Sequence, residues 1–334
     1  MNQYKSLIKD SFLFAIGSIG SRAISFFMLP LYTKLLSTSD YGQLDILQTT
    51  ISLLVPLVTL QAVEAVFRFS VDMREKDSAS TVLINGLFLC FVGILITLLL
   101  FPVFISFEPF SSYVTLFYLI MFLMMCNNVL KQFVRGLEKI RTFVASDLAY
   151  TASFVIFNII FLVSLKMGLK GYFLSMVLAY LISIIILVFF GNISKYLDFR
   201  YFDKSFLKTM LIYSMPLIPN EIMLWVIGVS DRYMLTYFLG FDATGIYSVS
   251  YKFPALISVM NSIFFMAWQL SAIQEYGKEG YENFYKNIFG ALSALLFVIM
   301  GFILLILRPL ISVFVSEAFH ESWKYVPMLL VGTV

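Results

Sequence analysis

Charged side chains that stand inside long apolar stretches are the residues of this chain with the means to do chemistry. Arg22 lies ten residues into the stretch Ser11–Leu36 and has no opposite charge within reach on its own helix. A guanidinium there suits a two-point grip on a phosphate. The stretch Leu217–Leu239 carries Glu221, Asp231 and Arg232, and the next, Ile246–Leu270, carries Lys252. Each mid-span charge costs about 2.5–3.5 kcal/mol on insertion scales, against about 0.3–0.6 kcal/mol returned per large aliphatic residue, so these groups should face protein or a wet cavity. At about 1.5 Å per residue, Asp231 sits about 12 Å from the far end of its stretch and Lys252 about 9 Å into the next. An ion pair of Asp231 with Lys252 or Arg232 is one expectation, and a direct role in substrate or ion binding is the other. Arg68 sits at the end of Leu44–Phe67, where it can snorkel, and Glu64 one turn deeper is its expected i,i+4 partner. Arg22, Arg232 and Lys252 are therefore the candidates for an anionic substrate. Asp231, Glu221 and Glu64 are the candidates for proton or sodium coupling.

Other chemistries lack their residues. His320 is the only histidine, which argues against Ser-His-Asp catalysis, a His-rich zinc site and HExxH metalloproteases. Cys90 and Cys126 both fall inside apolar stretches and behave as apolar side chains there. No catalytic group, metal or organic cofactor is expected. The longest segment between stretches is about Gly191–Pro216, too short for a soluble domain, and the outer connections Ser106–Ser112 and Thr236–Ala243 are short. A membrane enzyme such as a polysaccharide polymerase would usually need a larger outer loop, and is the least favoured function. The net charge of +3 does not imply nucleic acid.

The elements that must position these residues are helices in a bilayer. Hydrophobic residues make up 60% of the chain and charged residues 13%, far from the roughly 25% charged of soluble domains. Nine stretches meet the length of about 20 residues that a crossing helix needs. They are Ser11–Leu36, Leu44–Phe67, Val82–Phe107, Tyr113–Val134, Ser146–Leu165, Gly171–Phe190, Leu217–Leu239, Ile246–Leu270 and Ile288–Val315. A tenth starts near Trp323 and stops at Val334. The first is too long for a signal peptide, carries Arg22 and lacks a clear cleavage site, so it reads as a retained span. With alternating spans, fifteen Lys and Arg fall on the side of the N-terminus and five on the other, which places the N-terminus in the cytoplasm. Pro30, Pro56 and Pro219 should bend their spans, whereas Pro216 sits in a first turn where proline is tolerated.

Sliding the chain on itself by 203 positions pairs Thr33–Leu36 with Thr236–Leu239, Gly42 with Gly245, Lys5 with Lys208 and Ser11 with Ser214. Six spans separate the copies, so both enter the membrane in the same direction. The expectation is an all-α integral membrane protein of two six-helix bundles in parallel repeat, 1–203 and 204–334, with a pseudo-two-fold axis along the membrane normal. The second copy has room for three complete spans and the start of a fourth, so it is expected to be incomplete.

Several motifs resemble the polysaccharide (Wzx-type, O-antigen) flippases of the multidrug/oligosaccharidyl-lipid/polysaccharide exporter superfamily. They are Gly17, Ser21-Arg22, Leu29-Pro30-Leu31-Tyr32 and Ser39-Asp40-Tyr41-Gly42 in the opening segment. More specific are Pro216-Leu217-Ile218-Pro219 through Trp225, Ser230-Asp231-Arg232-Tyr233, Leu239-Gly240, Gly245-Ile246-Tyr247, Tyr251-Lys252 and Ala267-Trp268. The resemblance covers essentially the whole chain and implies two bundles with alternating access to a cationic cavity bordered by Arg22, Asp231, Arg232 and Lys252. It also implies a bacterial inner-membrane location and transfer of an undecaprenyl-pyrophosphate-linked oligosaccharide to the outer leaflet, alongside other polysaccharide assembly proteins. A multidrug cation antiporter of the same superfamily is the nearest alternative. Three in-span bases beside few buried acids lean away from it.

Overall fold

The computed structural model describes residues 26–72, 75–258, 260–261, 264, 268 and 280–333. Arg22 lies outside them. The described residues form helices and turns, with no strand among them. The chain divides into two compact units, each discontinuous in sequence.

The first unit runs over Gln43–Met234. It holds most of α2 (Thr38–Val58), then α3 (Ala62–Asp72), α4 (Lys76–Leu98), α5 (Phe110–Gly136), α6 (Ile140–Asn158), α7 (Gly168–Phe190), α8 (Lys204–Ser214) and the first half of α9 (Ile218–Ser250). Helices α5 to α7 match the fourth to sixth apolar stretches. A π-helical turn, Ile159–Ser164, lengthens α6. Packing is densest among α5, α6 and α7, where Phe117, Ile120, Met121, Met125, Val129 and Phe133 of α5 are almost fully buried. Outward-facing apolar side chains remain uncovered, including Phe91 at 55%, Ile156 at 54% and Ile185 at 52% exposure. Such faces suit lipid, which is what the apolar composition requires.

Span two is bent, as Pro56 led us to expect. Helices α2 and α3 meet at 54°, and the joint follows the proline within one turn. Proline offers no N–H to the carbonyl one turn earlier, and beyond it Leu60 and Gln61 take positive φ, with the Gln61 N–H bonding the Pro56 carbonyl at 2.8 Å. Pro30 has a milder effect. It stands in the first turn of α1 (Leu29–Leu35), which starts after a turn at Met28. Pro219 is the second residue of α9, a first-turn position like that of Pro216. The third apolar stretch, Val82–Phe107, is displaced from its helix. Helix α4 starts at Lys76, because the polar turn before the apolar run is already helical, and stops at Leu98.

Residues 191–203 link the copies and are fastened to the first unit. The Tyr201 hydroxyl bonds Asp77 at 2.6 Å, the Phe202 ring packs on Phe88 at 4.8 Å, and Asp203 caps α8 by accepting from the N–H groups of Ser205 and Phe206. At the same end Lys139 donates to the Gly191 carbonyl at 2.6 Å, and burial with the nearby Lys195 charge lowers its ammonium pKa. Asp198 and Arg200 form an exposed pair in which the carboxyl pKa is held down by the guanidinium.

The second unit comprises residues 26–42 and Leu235–Val334. It contains α1, the first turn of α2, the second half of α9, residues 252–258, α10 (Tyr281–Phe314), a 3-10 segment Glu317–Lys324 and α11 (Val326–Val331). Helix α2 opens with a capping box: the Ser37 hydroxyl accepts from the Asp40 N–H at 3.0 Å, and the Asp40 carboxylate accepts from the Ser37 N–H at 3.2 Å. A helical run over Lys204–Ser258 is 55 residues long, more than twice what a bilayer needs. Gly240, with φ 82° and ψ −179°, breaks it into two spans. That backbone region is essentially open to glycine alone. The eight-residue connection expected at Thr236–Ala243 is thus reduced to one non-helical residue.

The repeat is visible in atoms here. A Cβ on Gly42 would collide with the carbonyl oxygen of Phe241 and lie 3.1 Å from the Gly245 nitrogen. A Cβ on Gly245 would collide with the carbonyl oxygen of Thr38 and lie 3.1 Å from the Gly42 nitrogen. Phe241 is Thr38 plus 203, and Gly245 is Gly42 plus 203. Each glycine therefore meets the counterpart of what the other meets, as a two-fold relation between the copies demands.

Candidate functional site

Helix α2 places Asp45, Gln48, Thr49 and Ser52 at i, i+3, i+4 and i+7, along one face. Its register is set by the capping box at Ser37 and its lower limit by Pro56. Within the first unit this face meets the opening half of α9. Nε of Arg232 lies 3.3 Å from Oδ2 of Asp45, with the side chains only 10% and 12% exposed. That separation is longer than the about 2.7–2.9 Å of a well-formed charge-assisted hydrogen bond, so the contact is chiefly coulombic. Thr49 and Thr50 donate their hydroxyl protons to the carbonyls one turn back, Asp45 at 2.7 Å and Ile46 at 2.7 Å. The Tyr233 hydroxyl, 2.6 Å from Thr50 Oγ1, must then be the donor between them. The indole N–H of Trp225 donates to the Thr49 carbonyl at 2.9 Å, and its ring lies 5.2 Å from that of Tyr233.

The polar set continues into the bundle. Gln48 donates to the Tyr172 hydroxyl on α7 at 3.0 Å, Tyr172 packs edge-on against Phe154, and Tyr150 lies 4.7 Å from Tyr180. Lys131 of α5 pairs with Asp147 of α6 and lies over the Phe143 ring. Below Trp225 an open pocket of about 270 Å³ is lined by Ser52, Pro56, Glu221 and Trp225 among apolar neighbours.

The sequence-derived candidates fare differently. Arg232 is at the centre of the α2–α9 contact. Its neighbour Asp231 is half-buried and accepts the Arg232 backbone N–H at 2.9 Å, while the guanidinium faces Asp45, a residue we did not single out from sequence. Lys252 is half-buried in the second unit. Glu221 is exposed at the pocket. Glu64 is exposed in the first turn of α3, where a carboxylate complements the helix dipole. Arg68 pairs with Asp72 at 2.5 Å rather than with Glu64, taking the i,i+4 partner on the other side. Asp45 could have been found by depth: it lies seven residues past the start of α2 and Arg232 eight residues before Gly240, so both stand about 10–12 Å from the same end. Among the described residues no cluster of three or more His, Cys, Asp or Glu is placed to hold a metal.

Residues 7–269 match the family described as polysaccharide biosynthesis protein. The chain belongs to that family. The motif resemblance is borne out at this level, and the fold agrees. An inward-facing multidrug resistance MATE family transporter of the MOP superfamily superposes with a TM-score of 0.74 at 15% identity, covering 96% of this chain and 82% of its own. A MATE in complex with MaL6 gives 0.66 at 17% identity, with 98% and 80% covered. The bent form of the Vibrio cholerae MATE transporter VcmN gives 0.57 at 11% identity, with 98% and 80% covered. No curated protein matches the chain in sequence. At these identities the neighbours establish the all-α, MOP-type membrane fold of this family member. Family and fold together are those of a multi-pass membrane protein of polysaccharide biosynthesis.

Proposed function

We propose that this family member moves a polyprenyl-pyrophosphate-linked oligosaccharide, of the undecaprenyl type, from the cytoplasmic to the outer leaflet of a bacterial inner membrane, with its N-terminus in the cytoplasm. The repeats 1–203 and 204–334 would rock against each other for alternating access. One observation carries the anion-binding part of this reading. The mirrored glycine contacts support the 203-residue offset, and the same offset pairs Trp225 with Arg22 and Thr49 with Lys252. Trp225 and Thr49 touch, at 2.9 Å. Their counterparts are both cations. A pyrophosphate carries negative charge in the form that Arg and Lys side chains bind. Arg232, which faces Asp45, is the third cation of this reading, and Asp231, Glu221 and Glu64 are the carboxylates it assigns to a coupling proton or sodium ion.

The test is leaflet exchange of a fluorescent polyprenyl-pyrophosphate oligosaccharide in proteoliposomes. Wild-type exchange should exceed that of protein-free vesicles, and Arg22→Ala and Lys252→Ala should each lower it at least tenfold with insertion intact. Exchange no faster than in empty vesicles removes the function. Unchanged exchange in both variants removes the anion site.

A further inference from the structure

We propose that the pocket between α2 and the start of α9 is a saccharide subsite, in which one sugar ring of the cargo stacks on Trp225 while its hydroxyls bond to Glu221 and to the Ser52 carbonyl. The inference rests on the transport of a glycosylated lipid and names where the glycan is read.

Three features of the pocket carry it. Its volume, about 270 Å³, is close to the lower end of small-ligand sites and suits a single pyranose better than an oligosaccharide. Its aromatic wall is fixed, because the Trp225 N–H is engaged by the Thr49 carbonyl at 2.9 Å and the ring is backed by Tyr233 at 5.2 Å. A ring locked in this way offers a flat apolar face without losing rotamer entropy on binding. Its polar lining is rich in acceptors. Pro56 cannot donate to the carbonyl of Ser52, four residues before it, so that carbonyl has no partner from the ordinary helical ladder. The Ser52 hydroxyl gives its proton to the Thr49 carbonyl at 2.7 Å and keeps lone pairs for accepting. The Glu221 carboxylate, exposed at the pocket, accepts only. An aromatic ring and several acceptors lining one pocket are the complement of a sugar, which has C–H faces and a rim of O–H donors.

The position is also consistent with the cargo. Trp225 and Arg232 are seven residues apart, on one face of α9 and about 10 Å apart along its axis.

A single-tryptophan form, Trp268→Phe/Trp323→Phe, reports the site through Trp225 fluorescence. It is titrated with D-glucose, D-galactose, N-acetyl-D-glucosamine, L-rhamnose and D-glucuronic acid, and with tetraphenylphosphonium as an organic cation. The expected result is a saturable change with at least one sugar, weakened roughly fivefold or more by Glu221→Gln. A response to tetraphenylphosphonium alone, or to none of the probes, overturns the subsite. Leaflet exchange of the glycosylated lipid is measured on the same preparation. Exchange with a silent Trp225 removes the subsite and keeps the transport function, whereas absent exchange with a sugar response removes the function and keeps the subsite. Trp225→Ala should slow exchange of the glycosylated lipid more than that of bare undecaprenyl pyrophosphate, and equal slowing of both also overturns the proposal.

Discussion

One turn of helix separates two regions of α2 that treat the internal repeat in opposite ways. At Gly42 the repeat is kept to the atom: the glycine and its counterpart Gly245 make mirrored contacts with the carbonyls of Phe241 and Thr38. At Asp45 it is broken. Asp45 pairs with Arg232, but the offset places Ser248 where Asp45 would recur and Leu29 where Arg232 would recur, both almost fully buried. Close backbone approach requires a missing Cβ on both helices, so the crossing constrains both copies alike. A buried charge pair adds little net stability over an apolar pair of similar size. Its presence in one copy alone is therefore a feature that the repeated fold does not require, and the proposed transport is where its role is tested.

The largest expected effect comes from erasing that difference. Asp45→Ser removes the carboxylate that faces the buried Arg232 guanidinium and should destabilise, by up to about 3–5 kcal/mol, read as a lower midpoint in thermal unfolding of the purified protein. Adding Arg232→Leu, which copies the Ser248–Leu29 arrangement onto this pair, should recover most of that loss while transport stays at background. Stability that does not recover would mean that Arg232 and Asp45 act independently. Recovered transport would mean that the pair is structural.

The glycine crossing should respond symmetrically. Gly42→Ala and Gly245→Ala each drive a methyl into a backbone carbonyl that cannot swing aside, and each should destabilise by about 1–3 kcal/mol. The two values should agree. Gly228, inside α9, has nothing within 4 Å of its would-be Cβ, so Gly228→Ala should stabilise by about 0.5–1 kcal/mol through helix propensity. Unequal costs at Gly42 and Gly245, measured by the same unfolding assay, would show that the two-fold is local to the crossing.

The difference also governs what was legible in the sequence. Helices α5, α6 and α7 follow from apolar length alone, because a lipid-facing helix must be apolar along its whole crossing. The edge of α4 did not follow, since hydropathy marks where lipid begins and the Lys76 turn is helical outside it. Pro56 announced its bend because a missing N–H acts locally. Gly240 reads as part of a loop in sequence, where a one-residue break and a longer connection look alike. Asp45 is hard to single out in sequence for a related reason. It stands at the margin of an apolar stretch, where an acid looks like a boundary, and only the facing Arg232 makes it an interior group.

The smallest test concerns Tyr233, whose counterpart by the offset is Pro30, a residue with no hydroxyl to offer. The Tyr233–Thr50 bond is thus one-sided too, and the comparison asks whether it belongs with the fold or with the cargo. Thr50 already donates to the Ile46 carbonyl, so Tyr233→Phe removes a donor without stranding another. Its stability cost should stay near 0.5–1 kcal/mol. The ring remains, so the support behind Trp225 should survive and the sugar-dependent fluorescence should shift by less than twofold. A large loss of sugar response with little loss of stability would instead extend the saccharide subsite up α9 to Tyr233, and bring it within one residue of the Arg232–Asp45 pair.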